Sequence, residues 1–249
     1  MNFSAVSLSD QTLLGRALRL PLKLIPPDAP MPVLQGALRG KRWIAGSGNH
    51  GCWLGSYEHH TQQTFASIIR PGHTVYDLGA NVGFYSLLAS TLVGPTGKVF
   101  SFEPVPRNLR YLRRHLALNR VTNCTIWEVA VGRTESTGQF NLGHNHVSGH
   151  LTGASDDNTF SVRIVALDQL FDSGHLPPPD VIKCDIEGGE YDALAGAVKI
   201  LTMHRPTIVL ATHGPEVHEQ CCDLLTTHRY RMTQLEYYGA DRQLLATPT

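Results

Sequence analysis

The chain of 249 residues has no run of eighteen apolar side chains, so no stretch of it reads as a membrane-spanning helix. It has no net charge either: 21 Lys and Arg balance 21 Asp and Glu, which argues against a nucleic-acid binder whose affinity rests on neutralising phosphates. No Cys-x-x-Cys pair occurs, and the cysteine count is odd. Cys52, Cys124, Cys184, Cys221 and Cys222 are therefore expected as free thiols in a reducing, cytoplasmic setting. The N-terminal stretch lacks the apolar core of a signal peptide, because Arg16, Arg19 and Lys23 interrupt it. The charge that is present is uneven. Residues 1–70 carry seven basic side chains (Arg16, Arg19, Lys23, Arg39, Lys41, Arg42, Arg70) against three acidic ones (Asp10, Asp28, Glu58), so the remainder is acidic by the same margin of four. An apolar content of 42% at this length suits one α/β domain with an appendage.

Residues 74–85, Thr-Val-Tyr-Asp-Leu-Gly-Ala-Asn-Val-Gly-Phe-Tyr, organise the rest. A β-type run over Thr74–Leu78 turns through glycines into a helix with Phe84, Leu87, Leu88 and Val93 at helical spacing, stopped by Gly94-Pro95. Such a turn is a cradle for a nucleoside-bearing ligand, with glycines for close approach and a helix N-terminus for unpaired N–H groups. A dinucleotide fingerprint needs three glycines, and here its positions read Gly79, Asn81 and Phe84. No Lys-Ser or Lys-Thr enters the helix, so it is not a P-loop. Asp77 at the mouth of the turn would repel a pyrophosphate and attract an ammonium group. Glu103, after the run Lys98–Phe102, is expected at a neighbouring strand tip, where it can accept both ribose hydroxyls. Together these features suit S-adenosylmethionine, which is cationic and has no phosphate.

Upstream, residues 10–20 read as a short amphipathic helix capped by Asp10 and ended by Pro21. Its basic face allows peripheral contact with an anionic membrane, but packing on the body or on a second copy in a homodimer is the better reading. Residues 24–35 are a proline-rich connector, and 41–45 with 52–54 read as a hairpin. A helix over His60–Ile69 leads to Arg70-Pro71-Gly72, which closes an N-terminal extension of residues 1–72; residues 73–249 form the ligand-binding domain.

From Thr74 strands (74–78, 98–102, 124–128, 181–185, 207–211) alternate with helices, the mark of a doubly wound, mostly parallel sheet. The helix over 104–119 buries Leu109, Leu112 and Leu116, and its arginines read as a solvated face. Between the third and fourth strands an inserted hairpin is expected, with a strand at Ser161–Val165 and a polar loop carrying His144, His146 and His150. That loop reads as surface ahead of a metal site. The tail, Tyr230–Glu236 and Gln243–Ala246, suggests a closing antiparallel hairpin, which favours a methyltransferase sheet over a dehydrogenase one.

The second informative stretch is Val181-Ile-Lys-Cys-Asp-Ile-Glu-Gly-Gly-Glu190. Three carboxylates within six residues at a strand tip are costly unless paired or used. Glu190 in the first turn of a helix complements its dipole. Asp185 and Glu187 are read as functional, and His213, at the end of Thr207–Ala211, emerges at the same edge. A base there would take the proton of an acceptor hydroxyl; Asp185 or Glu187 is the expected base, with His213 assisting or substituting. A variant has Asp185, Glu187 and His213 hold a divalent metal that polarises the hydroxyl.

Val75–Tyr85, Phe102-Glu-Pro-x-Pro-x-Asn108 and Ile182–Glu190, with Ala130-Val-Gly132 and Ala166-Leu-Asp168, resemble the signature segments of the FkbM family of S-adenosylmethionine-dependent methyltransferases over roughly residues 55–215. The resemblance implies a class I, Rossmann-like methyltransferase fold and O-methylation of a sugar, glycolipid or polyketide-type hydroxyl. Relatives that methylate nitrogen make N-methylation of a peptide side chain the alternative, and a non-catalytic module binding S-adenosylmethionine is the other. Many members carry Glu-x-His where this chain has Ala211-Thr-His213, so only the histidine carries over. The expected cofactor contacts are Glu58 (by resemblance alone), Asp77, Gly79, Ala80, Asn81, Gly83, Phe84, Tyr85, Glu103, Pro104, Val129, Ala130 and Asp185.

Overall fold

The computed structural model describes residues 22, 24–142, 149–152, 159–238 and 241–249. The helix expected over 10–20, and His144 and His146 of the histidine loop, lie outside them; His150 falls in a strand. Strand β1 (Pro30–Pro32) pairs antiparallel with β2 (Arg42–Ile44), with Met31 opposite Trp43. This differs from the expected hairpin of 41–45 with 52–54. Cys52-Trp53-Leu54 instead winds into the single turn α1 (Gly51–Leu54), started by the Asn49 side-chain carbonyl accepting the Gly51 N–H at 2.7 Å. Three apolar residues fit a turn as well as a strand, and the proline segment offers β2 a short edge partner.

After α2 (His59–Ile68) comes the central sheet. Strands β3 (Thr74–Leu78), β4 (Lys98–Phe102), β5 (Cys124–Trp127), β10 (Val181–Cys184) and β11 (Thr207–Thr212) run parallel in the order β5-β4-β3-β10-β11. Strand β13 (Asp241–Pro248) adds antiparallel to β11, and β12 (Tyr230–Tyr238) closes the hairpin on it. Helices α3 (Phe84–Val93), α4 (Pro106–Leu118), α5 (Leu167–Asp172), α6 (Glu190–Ala195), α7 (Val198–Met203) and α8 (Pro215–Thr227) make the connections. The inserted hairpin is β7 (Ser136–Leu142) with β8 (Gly149–Thr152); β9 (Thr159–Val165) and β6 (Ala130–Val131) join it in a separate sheet ordered β6-β9-β7-β8. No helix among the described residues is long and apolar enough to cross a membrane, and all five cysteines are free.

Strand alternation decides what each face of the central sheet holds. Tyr76, Phe100, Ile182 and Ile208 pack into the core on one face, and Val75, Val99, Val181 and Val209 into the core on the other. Moving two residues along from the valines leads to Asp77, Ser101 and Lys183, which are in register across the three central strands. The sheet thus places a polar row beneath α3, at the strand ends where open α/β folds bind ligands.

The N-terminal segment is fastened to the body through α4. Trp43 stacks on His115 with ring centroids 3.6 Å apart, and the His115 imidazole bridges two backbones. Its Nε2 accepts the Ile44 N–H at 3.1 Å and its Nδ1 donates to the Val82 carbonyl at 2.7 Å. Burial lowers its pKa to about 4, so the neutral ring keeps this tautomer. Asn119 also donates to and accepts from the Arg42 backbone, both at 2.8 Å.

Candidate active site

The turn from β3 into α3 is shaped by neighbouring chain. Gly79 has φ +76°, and a Cβ there would overlap the Asp185 carbonyl oxygen. Gly83, with φ +94°, caps α3, and its Cβ would come within 2.5 Å of Leu112 Cδ1. The glycines let α4 and the β10 tip close on the turn. Within the turn that precedes the helix, the N–H groups of residues 79–83 are paired. Gly79 and Ala80 both donate to the Phe102 carbonyl at 3.0 Å, Asn81 to Glu103 Oε2 at 2.7 Å, Val82 to Asn81 Oδ1 at 2.7 Å and Gly83 to the Ala80 carbonyl at 2.8 Å.

Glu103 follows β4 and is almost fully buried. Oε1 accepts the Val105 N–H at 2.9 Å and Asn108 Nδ2 at 3.3 Å; Oε2 takes Asn81. Burial raises its pKa to about 7 against these donors. A carboxylate offers about four lone-pair sites, so acceptor capacity is left over on Oε2.

Asp77 is not at the mouth of the turn. It is 0% exposed beneath α3, its Oδ2 accepting from Ser86 Oγ at 2.6 Å, and Ser86 accepts in turn from Ser101 Oγ at 2.8 Å. The same-face alternation of β3 puts it there, and burial raises its pKa. Its register neighbour Lys183 is 6% exposed, a residue the sequence reading passed over. The ammonium lies 3.0 Å from Asp185 Oδ2 and 4.9 Å from the Tyr85 ring centroid. Burial acts against its charge, but Asp185, Asp77 and Glu58 outweigh this and raise its pKa. Tyr85 Oη donates to Glu58 Oε2 at 2.7 Å.

Beyond β10, Glu190 folds the strand-tip loop back on itself. Its side chain is fully buried, and Oε1 accepts the N–H groups of Ile186 (3.1 Å) and Gly188 (3.0 Å) and His213 Nδ1 at 2.8 Å. The other ring nitrogen of His213 lies 3.7 Å from Asp185 Oδ1 and 3.6 Å from Glu187 Oε2. Although burial works against it, the hydrogen bond and charge of Glu190, with Asp185 and Glu187, raise the His213 pKa to about 9. A pKa near 9 favours the protonated ring at neutral pH, in which both nitrogens donate to the surrounding carboxylates. Among the described residues no group of three or more His, Cys, Asp and Glu side chains is placed to hold a metal ion, so the metal variant gains no support.

The two remaining carboxylates differ. Burial alone would raise the Asp185 pKa, but Lys183 and His213 hold it below the ordinary value. Glu187 is raised, first by burial and then by Asp185, Glu190 and Asp241, against the pull of His213. Its side chain is 44% exposed, and its backbone sits at φ +56°. Glu58 (φ +41°) and Asn81 (φ +50°) are also left-handed, a conformation that costs about 1–2 kcal/mol and persists where surrounding structure imposes it.

These groups meet around one cavity of about 610 Å³. Of the expected contacts, Gly79, Ala80, Asn81, Phe84, Tyr85, Glu103, Pro104, Val129, Ala130, Asp185 and Glu187 line it. Asp77, Gly83, Glu58 and His213 are not part of the lining; Glu58 touches Tyr85, and His213 touches Asp185 and Glu187, all of which are. Lys183, Tyr57 and Asn49 line it as well, and so does Phe140 of the inserted sheet.

The family model described as the methyltransferase FkbM domain matches residues 77–237. The chain belongs to the FkbM methyltransferase family. It is 27% identical over 128 residues to the hexuronic acid methyltransferase AglP of Haloferax volcanii, covering 51% of each chain. It is 39% identical over 66 residues to the 31-O-demethyl-FK506 methyltransferase FkbM of Streptomyces tacrolimicus, 25% of each. The match thus spans about half, or less, of the length of these relatives. Among solved structures, the fold is similar to a precorrin-6y C5,15-methyltransferase from Geobacter metallireducens (TM-score 0.52, 17% identity, 76% of this chain and 87% of that one). A putative rRNA-methylase from Clostridium thermocellum gives a TM-score of 0.50 at 14% identity, over 78% and 94%. At these identities the likeness is one of fold: this FkbM-family chain has the class I methyltransferase sheet.

Proposed function

We propose that this chain transfers a methyl group from S-adenosylmethionine to a hydroxyl of a sugar, glycolipid or polyketide-type acceptor. The observation that carries the reading is the shared cavity: the Gly79–Gly83 turn and Glu103 line one side, and Asp185 and Glu187 line the other. Family membership supports methyl transfer, and the two relatives bear the names of a hexuronic acid methyltransferase and a 31-O-demethyl-FK506 methyltransferase.

The residues present fit the cofactor. The turn has committed the N–H groups of residues 79–83 inside the protein, which disfavours a phosphate ligand and suits one without phosphate. Glu103 keeps acceptor capacity for ribose hydroxyls, and Val129 and Ala130 supply an apolar edge for a flat ring. When bound, S-adenosylmethionine supplies an electrophilic methyl group on a cationic sulfonium. The chain's own work is then to hold the acceptor close and take its proton. Glu187 is the base in this reading: it lines the cavity, is half exposed and has a raised pKa. Asp185, tied to Lys183, stays an anion and orients. His213, already protonated, steadies both carboxylates.

The test is release of S-adenosylhomocysteine across a panel of glycosides, glycolipids and macrolides, alongside calorimetric titration with S-adenosylmethionine. Glu187→Gln is expected to lower kcat by roughly 10²–10⁴-fold with cofactor affinity kept. Near-normal turnover of that variant would overturn the assignment of the base, and a protein that binds no S-adenosylmethionine would overturn the function.

A further inference from the structure

Resting on that reading, we propose that Lys183 is a positioning residue that sets the charge of the transfer site: it pins the Asp185 side chain beside the Gly79 turn and, with His213 left to keep Asp185 ionised, its own charge tempers the cavity's attraction for a sulfonium. The first observation is placement. Lysine is rarely buried without a partner, yet Lys183 sits in a strand whose four residues are all buried, between Val181 and Cys184. Strand pairing sets it opposite Asp77, and the residue is part of the cavity lining.

The second is what surrounds it. Asp185 Oδ2 is 3.0 Å away and the Tyr85 ring face 4.9 Å away, while Tyr85 itself is held by Glu58. A quadrupole on one side and carboxylates on the others keep the ammonium charged in a site with little water. The third is the Asp185 backbone, whose carbonyl oxygen occupies the space a Cβ at Gly79 would need. The Lys183–Asp185 pair is therefore packed directly against the turn, and a change in its charge is felt there. This also divides the labour between the two carboxylates. The one that Lys183 holds cannot swing to an acceptor, and Glu187, with no lysine or arginine within ion-pair distance among the described residues, can.

The consequence can be read without any acceptor. S-adenosylmethionine and S-adenosylhomocysteine have nearly the same shape and differ by the sulfonium charge, so the ratio of their dissociation constants reports the field at the sulfur. Both are titrated calorimetrically at one pH into wild type, K183M, D185N and K183M/D185N. A unit charge acting through a protein-like dielectric over roughly ten ångström is worth about tenfold in such a ratio. K183M is expected to raise the preference for S-adenosylmethionine by about that factor and D185N to lower it, with the double variant returning close to wild type. Removing one member of a buried pair can cost the fold, so the effect of K183M is read in both the wild-type and the D185N backgrounds. A merely structural lysine would move both affinities together. A ratio that K183M leaves unchanged or lowers in the backgrounds that fold overturns the proposal. Wild-type protein that binds neither ligand overturns the functional reading instead.

Discussion

The cluster around His213 makes stability depend on pH in a way that one substitution can isolate. The imidazole is 22% exposed and held between Glu190, Asp185 and Glu187, with its pKa raised from 6.5 to about 9. A histidine whose folded pKa lies above its unfolded value contributes stability that is fully present below the unfolded pKa and lost as pH rises through the folded one. The window here is pH 6.5 to about 9. A shift of roughly 2.5 units corresponds to about 3 kcal/mol, to be read as an order of magnitude. For a chain of this length that is roughly 6–12 °C in Tm. Urea unfolding of wild type and His213→Gln at half-unit steps from pH 6 to 10 checks it. Wild type should lose that stability across the window, and the variant should start lower and lack that loss, so the two curves converge above pH 9. The difference between the curves removes other groups that titrate nearby, Glu103 among them. Curves that fall in parallel, or a His213 ring resonance that titrates near 6.5, would refute the reasoning.

Gly79→Ala should destabilise the protein by on the order of 4 kcal/mol, because the new methyl has no room against the Asp185 carbonyl and the backbone is left-handed; thermal unfolding measures this. The Glu103 carboxyl, raised to about 7 by burial, should make S-adenosylmethionine binding strengthen as pH rises through 7, since ionisation frees acceptor capacity for the ribose. Calorimetry with Glu103→Gln should show weaker binding and no such pH dependence. His115→Ala leaves the Ile44 N–H and the Val82 carbonyl without a partner beside Trp43, and should cost about 2–4 kcal/mol in urea unfolding.

The sequence made the central sheet legible because its strands are covered on both faces. Val75-Tyr76, Val99-Phe100 and Val181-Ile182 read as short continuous apolar runs, and each is followed by the glycine or acid of a strand tip. The N-terminal segment was harder to read. Nothing local distinguishes Cys52-Trp53-Leu54 as a turn from the same residues as a strand, and the partner of Arg42–Ile44 is a proline-bounded tripeptide that strand rules discount. Glu103, Asp185 and Glu187, which the structure brings to one cavity, stood out because acids at strand tips are costly and so conspicuous. Lys183 was missed because a lone lysine in an apolar run looks like a head that escapes to water. Asp77 was misplaced for a related reason: its position at the end of β3 suggested the mouth, whereas the alternation shared with Val75 turns it under α3.

That misplacement bears on how the turn recognises its ligand. If Asp77 stood at the mouth, charge attraction to an ammonium group would be enough to explain the choice of cofactor. With Asp77 buried on Ser86, that attraction is not available, and on the proposed reading selection comes from the donors and acceptors of the turn itself. A pyrophosphate bound at such a turn uses several free N–H groups, and here those of residues 79–83, ahead of the helix, go to Phe102, Glu103, Asn81 and Ala80. Glu103 is the pivot of that reading, because the residue whose carboxylate takes the Asn81 N–H also lines the cavity. It removes a donor that a phosphate would need and supplies acceptors that a ribose would use. On the proposed reading, the two missing glycines of the dinucleotide pattern and the acid after β4 act together on a single turn.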